Sequence, residues 1–486
     1  MSTQTVQKGF LGTPKGFPIV FITEFFERFS YYGMKAILLY YIIAKTTEAN
    51  PGLGLDNGAG VAIVSLYGAM IYMSNILGGW LSDRIWGPAK AVTIGGFFIM
   101  FGHIVLAIPA GLPALFASLA LLILGTGMLK SNVSTLVGRL YDEPGMGEGR
   151  DAGFSIFYMG INIGGFLAPL VIGTVGQTYG YHVGFSLAAI GMGIGLFLFC
   201  VFFGRRYKHL QKEVPNPIAA DEKGKVIALA VAIIAVAAIV NGGLFLSGNL
   251  NIDVFKYEVM IVAVGLTVFY FTRMLKSKNV TAVERKKVVA YIPLFIAGVL
   301  LWMLQEGGGT VIAELATHAK KTLGPVTIQE SWYQSVNPFV VIIGAALLAV
   351  LWTKLGKNQP TLISKISVGL LLIGASYLII LPAIGPDGFS PFWLIGSLAI
   401  VSLGEVLVSP VMLSATTTLA PRAFVAQVMG LWMLANSVGQ AINACLANWY
   451  IANPFTYFLI IGLLPIIFAV VLFAFRKQIL GFINND

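Results

Sequence analysis

The sequence predicts an all-α polytopic membrane protein of fourteen transmembrane helices, and three observations carry that prediction. Of the 486 residues, 57% are hydrophobic and only 11% charged, against roughly 25% charge in a soluble domain. Apolar stretches of about 20 residues recur along the whole chain, each long enough to cross a hydrocarbon core of roughly 30 Å. The strict alternation of a membrane β-barrel is absent. A net charge of +10 does not point to nucleic acid, because the basic residues lie in short loops between apolar spans. Cys200 and Cys445 both fall inside apolar spans, so they frame neither a disulfide nor a metal site. The first long apolar stretch carries charges and follows no small-residue cleavage site, so no cleaved signal peptide is expected.

Windows bounded by polar or Pro/Gly punctuation place spans 1 to 6 at 18–42, 60–81, 91–109, 114–138, 153–175 and 183–204. Spans 7 and 8, at 225–247 and 255–274, sit between the basic runs Arg205 to Lys225 and Arg273 to Lys287. Spans 9 to 14 follow at 288–309, 331–353, 361–382, 391–413, 424–447 and 454–475. The six-two-six pattern predicts two six-helix bundles, 1–206 and 288–486, joined by an inserted helix pair with basic flanks at 207–287. An even number of spans puts both termini on one side. The segments on that side hold 24 Lys and Arg, and the other side holds Lys45, Lys256, Lys320 and Lys321, a bias that places both termini in the cytoplasm.

Away from the span ends, seven charges remain deep in the apolar stretches: Glu24, Glu27, Arg28, Lys35, Lys130, Glu306 and Glu405. At roughly 2.5 to 3.5 kcal/mol each near a helix centre, they would cost on the order of 20 kcal/mol unless paired, hydrated or neutralised. They must therefore face a polar cavity or one another. On span 1, Glu24, Glu27, Arg28, Tyr31, Tyr32 and Lys35 project within about 140° of one another. Glu24 and Arg28 stand four residues apart, so a proton arriving on a carboxylate would change the pairing of Arg28. A static salt bridge to a neighbouring helix is the alternative.

Lys35 and Lys130 belong to the first bundle, Glu306 and Glu405 to the second. A cavity between the bundles would have a cationic wall opposite an anionic one and would suit a zwitterion, carboxylate towards the lysines and amine towards Glu405. Alternatively, Lys130 and Glu306 pair across the interface, and breaking that pair is one way to gate. Asn162, Asn337, Ser409 and Asn436 could supply hydrogen bonds to a ligand or to a neighbouring helix. Tyr31, Tyr32, Tyr72, Trp302 and Trp432 could line side-chain pockets or simply pack. His103, inside span 3, reads as a hydrogen-bonded structural residue rather than a proton relay. No nucleophile with its base, no metal-ligand cluster and no phosphate-cradling loop is present in the sequence, so neither an enzyme nor a cofactor is expected.

Span 1 reads Glu24-Phe-Phe-Glu27-Arg28-Phe29-Ser-Tyr31-Tyr32-Gly33, which resembles the ExxERFxYYG motif of the proton-dependent oligopeptide transporters, a branch of the major facilitator superfamily. Span 5 carries Phe157-Tyr158-Met-Gly-Ile-Asn162-Ile-Gly164, similar to that family's FYxxINxG signature. Further matches are Trp302 with Glu306, Gln334-Ser-Val-Asn337-Pro338, Gly404-Glu405 with Ser409-Pro410, and Gly430-Leu-Trp432. The loop after span 2, with Gly79, Asp83, Arg84, Gly87 and Lys90, resembles the superfamily's loop signature, and Trp352, Lys354, Leu355 and Gly356 echo it in the second bundle. The inserted helix pair is typical of bacterial members.

The resemblance implies a major facilitator fold in a bacterial cytoplasmic membrane, importing di- and tripeptides together with protons. It assigns Glu24, Glu27 and Arg28 to proton coupling, with Glu306 as an acid whose pairing with the first bundle depends on protonation. Lys35 and Lys130 then lie near the peptide carboxylate, Asn162, Asn337 and Glu405 near its amine end, and Tyr32, Tyr72 and Trp432 at side-chain pockets. Lys35 replaces the family's usual Arg and lacks its bidentate fork. Ser131 stands where Pro is common, and Gly307 where Gln is. These departures bear on substrate range more than on mechanism. Rival functions are a proton symporter for an amino acid or nitrate, a peptide sensor without net transport, and a membrane hydrolase, for which no nucleophile and base are found. A single chain suffices for the transport reading, and the inserted pair, without charge inside its spans, is expected outside the transport path.

Overall fold

The computed structural model describes residues 9, 12–143, 145–207, 210, 213–219, 221–248, 251–385 and 388–484. Long helices fall on the predicted spans: α1 Phe17–Ile43, α2 Asn57–Leu81, α3 Pro88–Ala107, α4 Gly111–Tyr141, α5 Arg150–Ala168, α6 Tyr181–Leu198, α7 Lys223–Leu246, α8 Ile252–Lys276, α9 Ala282–Glu306, α10 Val336–Leu355, α11 Leu362–Leu378, α12 Phe392–Thr418, α13 Val425–Ala452 and α14 Pro454–Ala474. Helices are the physical answer to lipid, where each peptide group must be satisfied within its own segment. Among the described residues, eleven helical segments are long and apolar enough to cross a membrane by length and composition. The helix α1 is not among them, because Glu24, Glu27, Arg28 and Lys35 are strung along it.

Local chemistry sets the ends. Asp56 caps α2 by accepting from Ala59 N at 2.8 Å, and Asn251 caps α8 by accepting from Val254 N at 2.9 Å. Thr281 and Glu284 form a reciprocal capping box at the start of α9. Between α2 and α3 the chain turns at Gly87 with φ 78°, and Pro88 opens the next helix. Pro169, which has no N–H to donate, marks a π-type turn, Pro169–Gly173, between α5 and the short helix Thr174–Tyr179.

The helices α1 to α6 pack into one bundle and α9 to α14 into a second. Small residues allow the closest approaches: Gly95 of α3 and Gly125 of α4 lie backbone to backbone, as do Gly78 of α2 and Gly127 of α4. Between the bundles, α2 runs along α13 and α5 along α10. The second helix of one bundle thus meets the fifth of the other in both directions, as a two-fold repeat about the membrane normal requires. At the end that the charge bias assigns to the outside, hydrogen bonds tie the bundles together. Tyr40 donates to Ala313 O at 3.1 Å, Asn57 to Glu314 Oε1 at 2.6 Å, Trp332 Nε1 to Thr174 Oγ1 at 2.7 Å, and Ser335 to Phe166 O at 2.8 Å.

Three details differ from the sequence reading. The ninth span was expected to end at 309, but the chain continues through a turn into Val311–Leu315, burying Glu314 beneath Tyr450, whose hydroxyl donates to Glu314 Oε2 at 2.5 Å. Lys256, counted as an outside loop residue, lies in α8 and is buried beside Asp253 at 2.5 Å, so the inserted pair does carry charge within a helix. A small antiparallel hairpin, Thr322–Leu323 with Val326–Thr327, interrupts the otherwise helical fold. The helix α8 packs on both α13 and α2. The linker ahead of α7 lies against the turn after α2: Asn216 N donates to Asp83 O at 2.9 Å, Ile218 N to Arg84 O at 3.2 Å, and Arg139 pairs with Glu213 at 3.0 Å.

Candidate functional site

A cavity of about 310 Å³ lies between the bundles. Its walls come from α1, α2, α4, α5, α9, α10, α12 and α13 and the turns beside them; among the described residues none of α7 or α8 lines it. It runs from Gly309 and Gln334, beneath the closed end, towards Ser134 and Ser409. Of the residues singled out in the sequence, Glu24, Arg28, Tyr31, Tyr32, Lys35, Tyr72, Lys130, Asn162, Trp302, Glu306, Asn337, Glu405, Ser409 and Trp432 all line it. Glu27 is fully buried behind Arg28, outside the lining.

The charges sort into sets. Arg28 pairs with Glu24 at 2.9 Å and with Glu27, and its guanidinium lies 5.5 Å from the centre of the Tyr31 ring. All three charged residues are at most 3% exposed, so none can lose its partner without stranding a buried charge. Lys35 Nζ meets Glu306 Oε2 at 2.5 Å, joining the first bundle to the second. The other oxygen of Glu306 accepts from Tyr72 OH and Asn436 Nδ2, both at 3.3 Å. The interbundle partner of Glu306 is therefore Lys35, which rules out the alternative pairing with Lys130 in this structure. Lys130 instead stands 4.3 Å over the Tyr72 ring and takes part in no ion pair among the described residues.

Glu405 Oε2 accepts from Asn337 Nδ2 at 2.7 Å, and the same amide also donates to Ser402 Oγ at 2.9 Å. Asn162 Nδ2 donates to Tyr158 O of its own helix at 2.9 Å. Trp302 meets Trp432 edge to face at 5.7 Å and lies 6.4 Å from Tyr72, giving an aromatic wall beside Lys130. His103 is buried in α3, and neither ring nitrogen meets a partner among the described residues, which corrects the hydrogen-bonded role expected of it. The sequence reading passed over Tyr158, Gln305 and Gln334, which also line the cavity. Tyr158 and Gln334 each stand inside a quoted motif, and Gln305 directly precedes Glu306. Among the described residues no group of His, Cys, Asp or Glu is arranged to hold a metal ion.

Two helical bundles enclosing a charged cavity and sealed together at one end define a polytopic membrane transporter rather than an enzyme. A family model described as "PTR2: POT family" matches residues 89–458, and the chain belongs to that family. It is 47% identical to an uncharacterized transporter of Bacillus subtilis (strain 168), over 95% of this chain and 93% of that one. It is 43% identical to a di-/tripeptide transporter of Lactococcus lactis subsp. cremoris, over 99% and 98%. A crystal structure of a mutant POT peptide transporter in complex with alafosfalin superimposes with a TM-score of 0.92 at 46% identity, covering 100% of both chains.

Proposed function

We propose that the chain is a proton-coupled symporter that imports di- and tripeptides by alternating access between bundles 1–206 and 288–486, with 207–287 riding outside the transport path. One observation carries the substrate class. Once Arg28 is paired with its two glutamates and Lys35 with Glu306, the charges left to a ligand are Lys130 on the first bundle and Glu405 on the second. A cation and an anion on opposite walls of a cavity complement the carboxylate and amine of a small zwitterion. The aromatic wall of Tyr72, Trp302 and Trp432 suits side chains of varied shape, and Asn162, Asn337, Ser409, Tyr31 and Tyr32 supply polar contacts. The di-/tripeptide transporter of Lactococcus and the alafosfalin complex support the same reading.

In this reading the structure is inward-facing, with both termini in the cytoplasm of a bacterial cell and the outer end latched. An outward-facing carrier takes a proton and a peptide. Glu306 releases or regains its basic partner in the first bundle, and the Glu24, Glu27 and Arg28 cluster rearranges as a carboxylate is neutralised. The bundles then rock inward. A neutral zwitterion carried with one proton moves positive charge inward, so the membrane potential contributes about 2.3 kcal/mol per charge per 100 mV. One chain holds the whole cavity, and no cofactor beyond the proton gradient is needed.

The test is uptake of labelled dialanine into proteoliposomes under an inward proton gradient and a negative interior. The expected result is uphill uptake that Glu405→Ala impairs. Correctly inserted protein that moves no di- or tripeptide by gradient or exchange, or that moves a free amino acid or nitrate instead, would overturn the substrate assignment.

A further inference from the structure

A line of buried amides runs behind the cavity. Gln440 of α13 is 2% exposed, and its Nε2 donates to Asn436 Oδ1 at 2.6 Å. Asn436, 1% exposed, donates through Nδ2 to Glu306 Oε1 at 3.3 Å, and Glu306 Oε2 holds Lys35. On the other side of Gln440, across the bundle boundary, lies Gly68 of α2. A Cβ at position 68 would overlap the oxygen, carbon and nitrogen of the Gln440 amide.

An asparagine can turn either end of its amide towards a carboxyl group. By donating to Asn436 Oδ1, Gln440 occupies the acceptor end and leaves the donor end for Glu306. A donor favours the ionised carboxylate over the protonated acid. We propose that Gln440, seated on the bare backbone of Gly68, is a positioning residue for proton coupling: it fixes Asn436 as a donor to Glu306 and thereby sets how readily Glu306 exchanges Lys35 for a proton. The inference rests on the reading of Glu306 as a proton-coupling group. The chain of contacts starts on α2 and ends on α1, both in the first bundle, while its middle lies in the second. Parting the α2–α13 seam would free Gln440 and, through Asn436, loosen the hold on Glu306.

The titratable and charged groups facing Glu306 are Lys35, Tyr31 and Tyr32 from α1, Tyr72 from α2, Lys130 from α4 and Glu405 from α12. All of them stay in place in the variants that test the idea, Gln440→Leu and Gly68→Ala. Each is reconstituted and measured twice, by dialanine counterflow, which needs no proton gradient, and by proton-driven uptake across a pH series. The expected result is retained counterflow with the pH at which uptake is half lost raised by about one unit, the size expected when an ionised carboxylate loses one donor. Asn436→Leu shifts the profile likewise, and combining it with Gln440→Leu adds nothing further.

Gly68→Ala guards against a folding defect, since the group it displaces is the far end of one flexible side chain. Normal counterflow with an unshifted profile in both Gln440→Leu and Gly68→Ala refutes the relay and leaves the importer reading standing. Loss of counterflow in correctly inserted Gly68→Ala would make Gln440 a packing residue and also refute it. Wild type without proton-driven peptide uptake refutes both readings.

Discussion

Breaking the Lys35–Glu306 pair from one side should tip the carrier out of the state described here. The two side chains are 10% and 8% exposed and meet at 2.5 Å, one from each bundle. Removing one partner of a buried pair costs about 3–5 kcal/mol, most of it from the charge left behind. At 1.4 kcal/mol per tenfold, that lowers the population of the bridged state by about 10² to 10³ relative to a state in which the survivor is hydrated. Lys35→Met alone and Glu306→Gln alone should therefore both shift the balance, whereas the double variant strands no charge and should stay within about tenfold of the parent. The assay places a cysteine at Ser409, on the cavity wall, in a protein with Cys200 and Cys445 replaced by serine. Alkylation by a membrane-impermeant maleimide is timed from the cytoplasmic face. If the two states are near balance in the parent, labelling slows by about a hundredfold in each single variant. Single variants that label within twofold of the parent, or a double variant slower than either, would show that the pair does not hold the bundles in this arrangement.

Glu24→Gln and Glu27→Gln should each abolish uphill uptake while leaving dialanine counterflow, because the amides preserve packing around Arg28 but cannot carry a proton; equal loss of both activities would contradict this. Glu405→Ala should raise KM for dialanine about tenfold or more, the worth of a hydrogen bond to a charged group. N-acetylated dialanine, which lacks the amine, should show little change when uptake of both is compared. Gly87→Ala should lower the temperature at which the purified protein aggregates, since a side chain at φ 78° costs about 1–3 kcal/mol and its Cβ would meet Glu213 O of the linker. Gly79→Ala, whose nearest neighbour would be Ser131 Oγ at 3.8 Å, is the matched control that should leave the aggregation temperature unchanged.

Much of this architecture is legible in the sequence because lipid leaves few choices. An apolar run must close its own backbone ladder, so span positions follow from hydropathy and their grouping from loop charge. The stripe on α1 is equally legible, since charges in such a run are too costly to be incidental. Partner choice is not. Lys35 and Lys130 are both basic residues of the first bundle, and only the docking of α9 against α1 decides that Glu306 meets Lys35. Neutral amides are also hard to read: Gln305, Gln334 and Gln440 stand in or beside apolar spans, where hydrogen bonding between helices is the ordinary role. Glu314 and Lys256 escaped because they lie near helix ends, where apolar windows fade before the helix does. The two-residue strands around Gly324 are too short to leave a periodic signal.

The mixed signs around the cavity have a consequence for the transport cycle. Four carboxylates and three basic groups sit in or behind its walls. With all of them ionised, the empty carrier bears one net negative charge. One proton brings that to zero, and a zwitterionic peptide leaves it there. The loaded carrier then crosses the field as an electrically silent body, and the voltage acts on the return stroke, when the empty, negative cavity is driven back towards the outside. Hyperpolarisation should accordingly accelerate resetting rather than delivery, and peptide exchange, which never uses the empty form, should be indifferent to voltage.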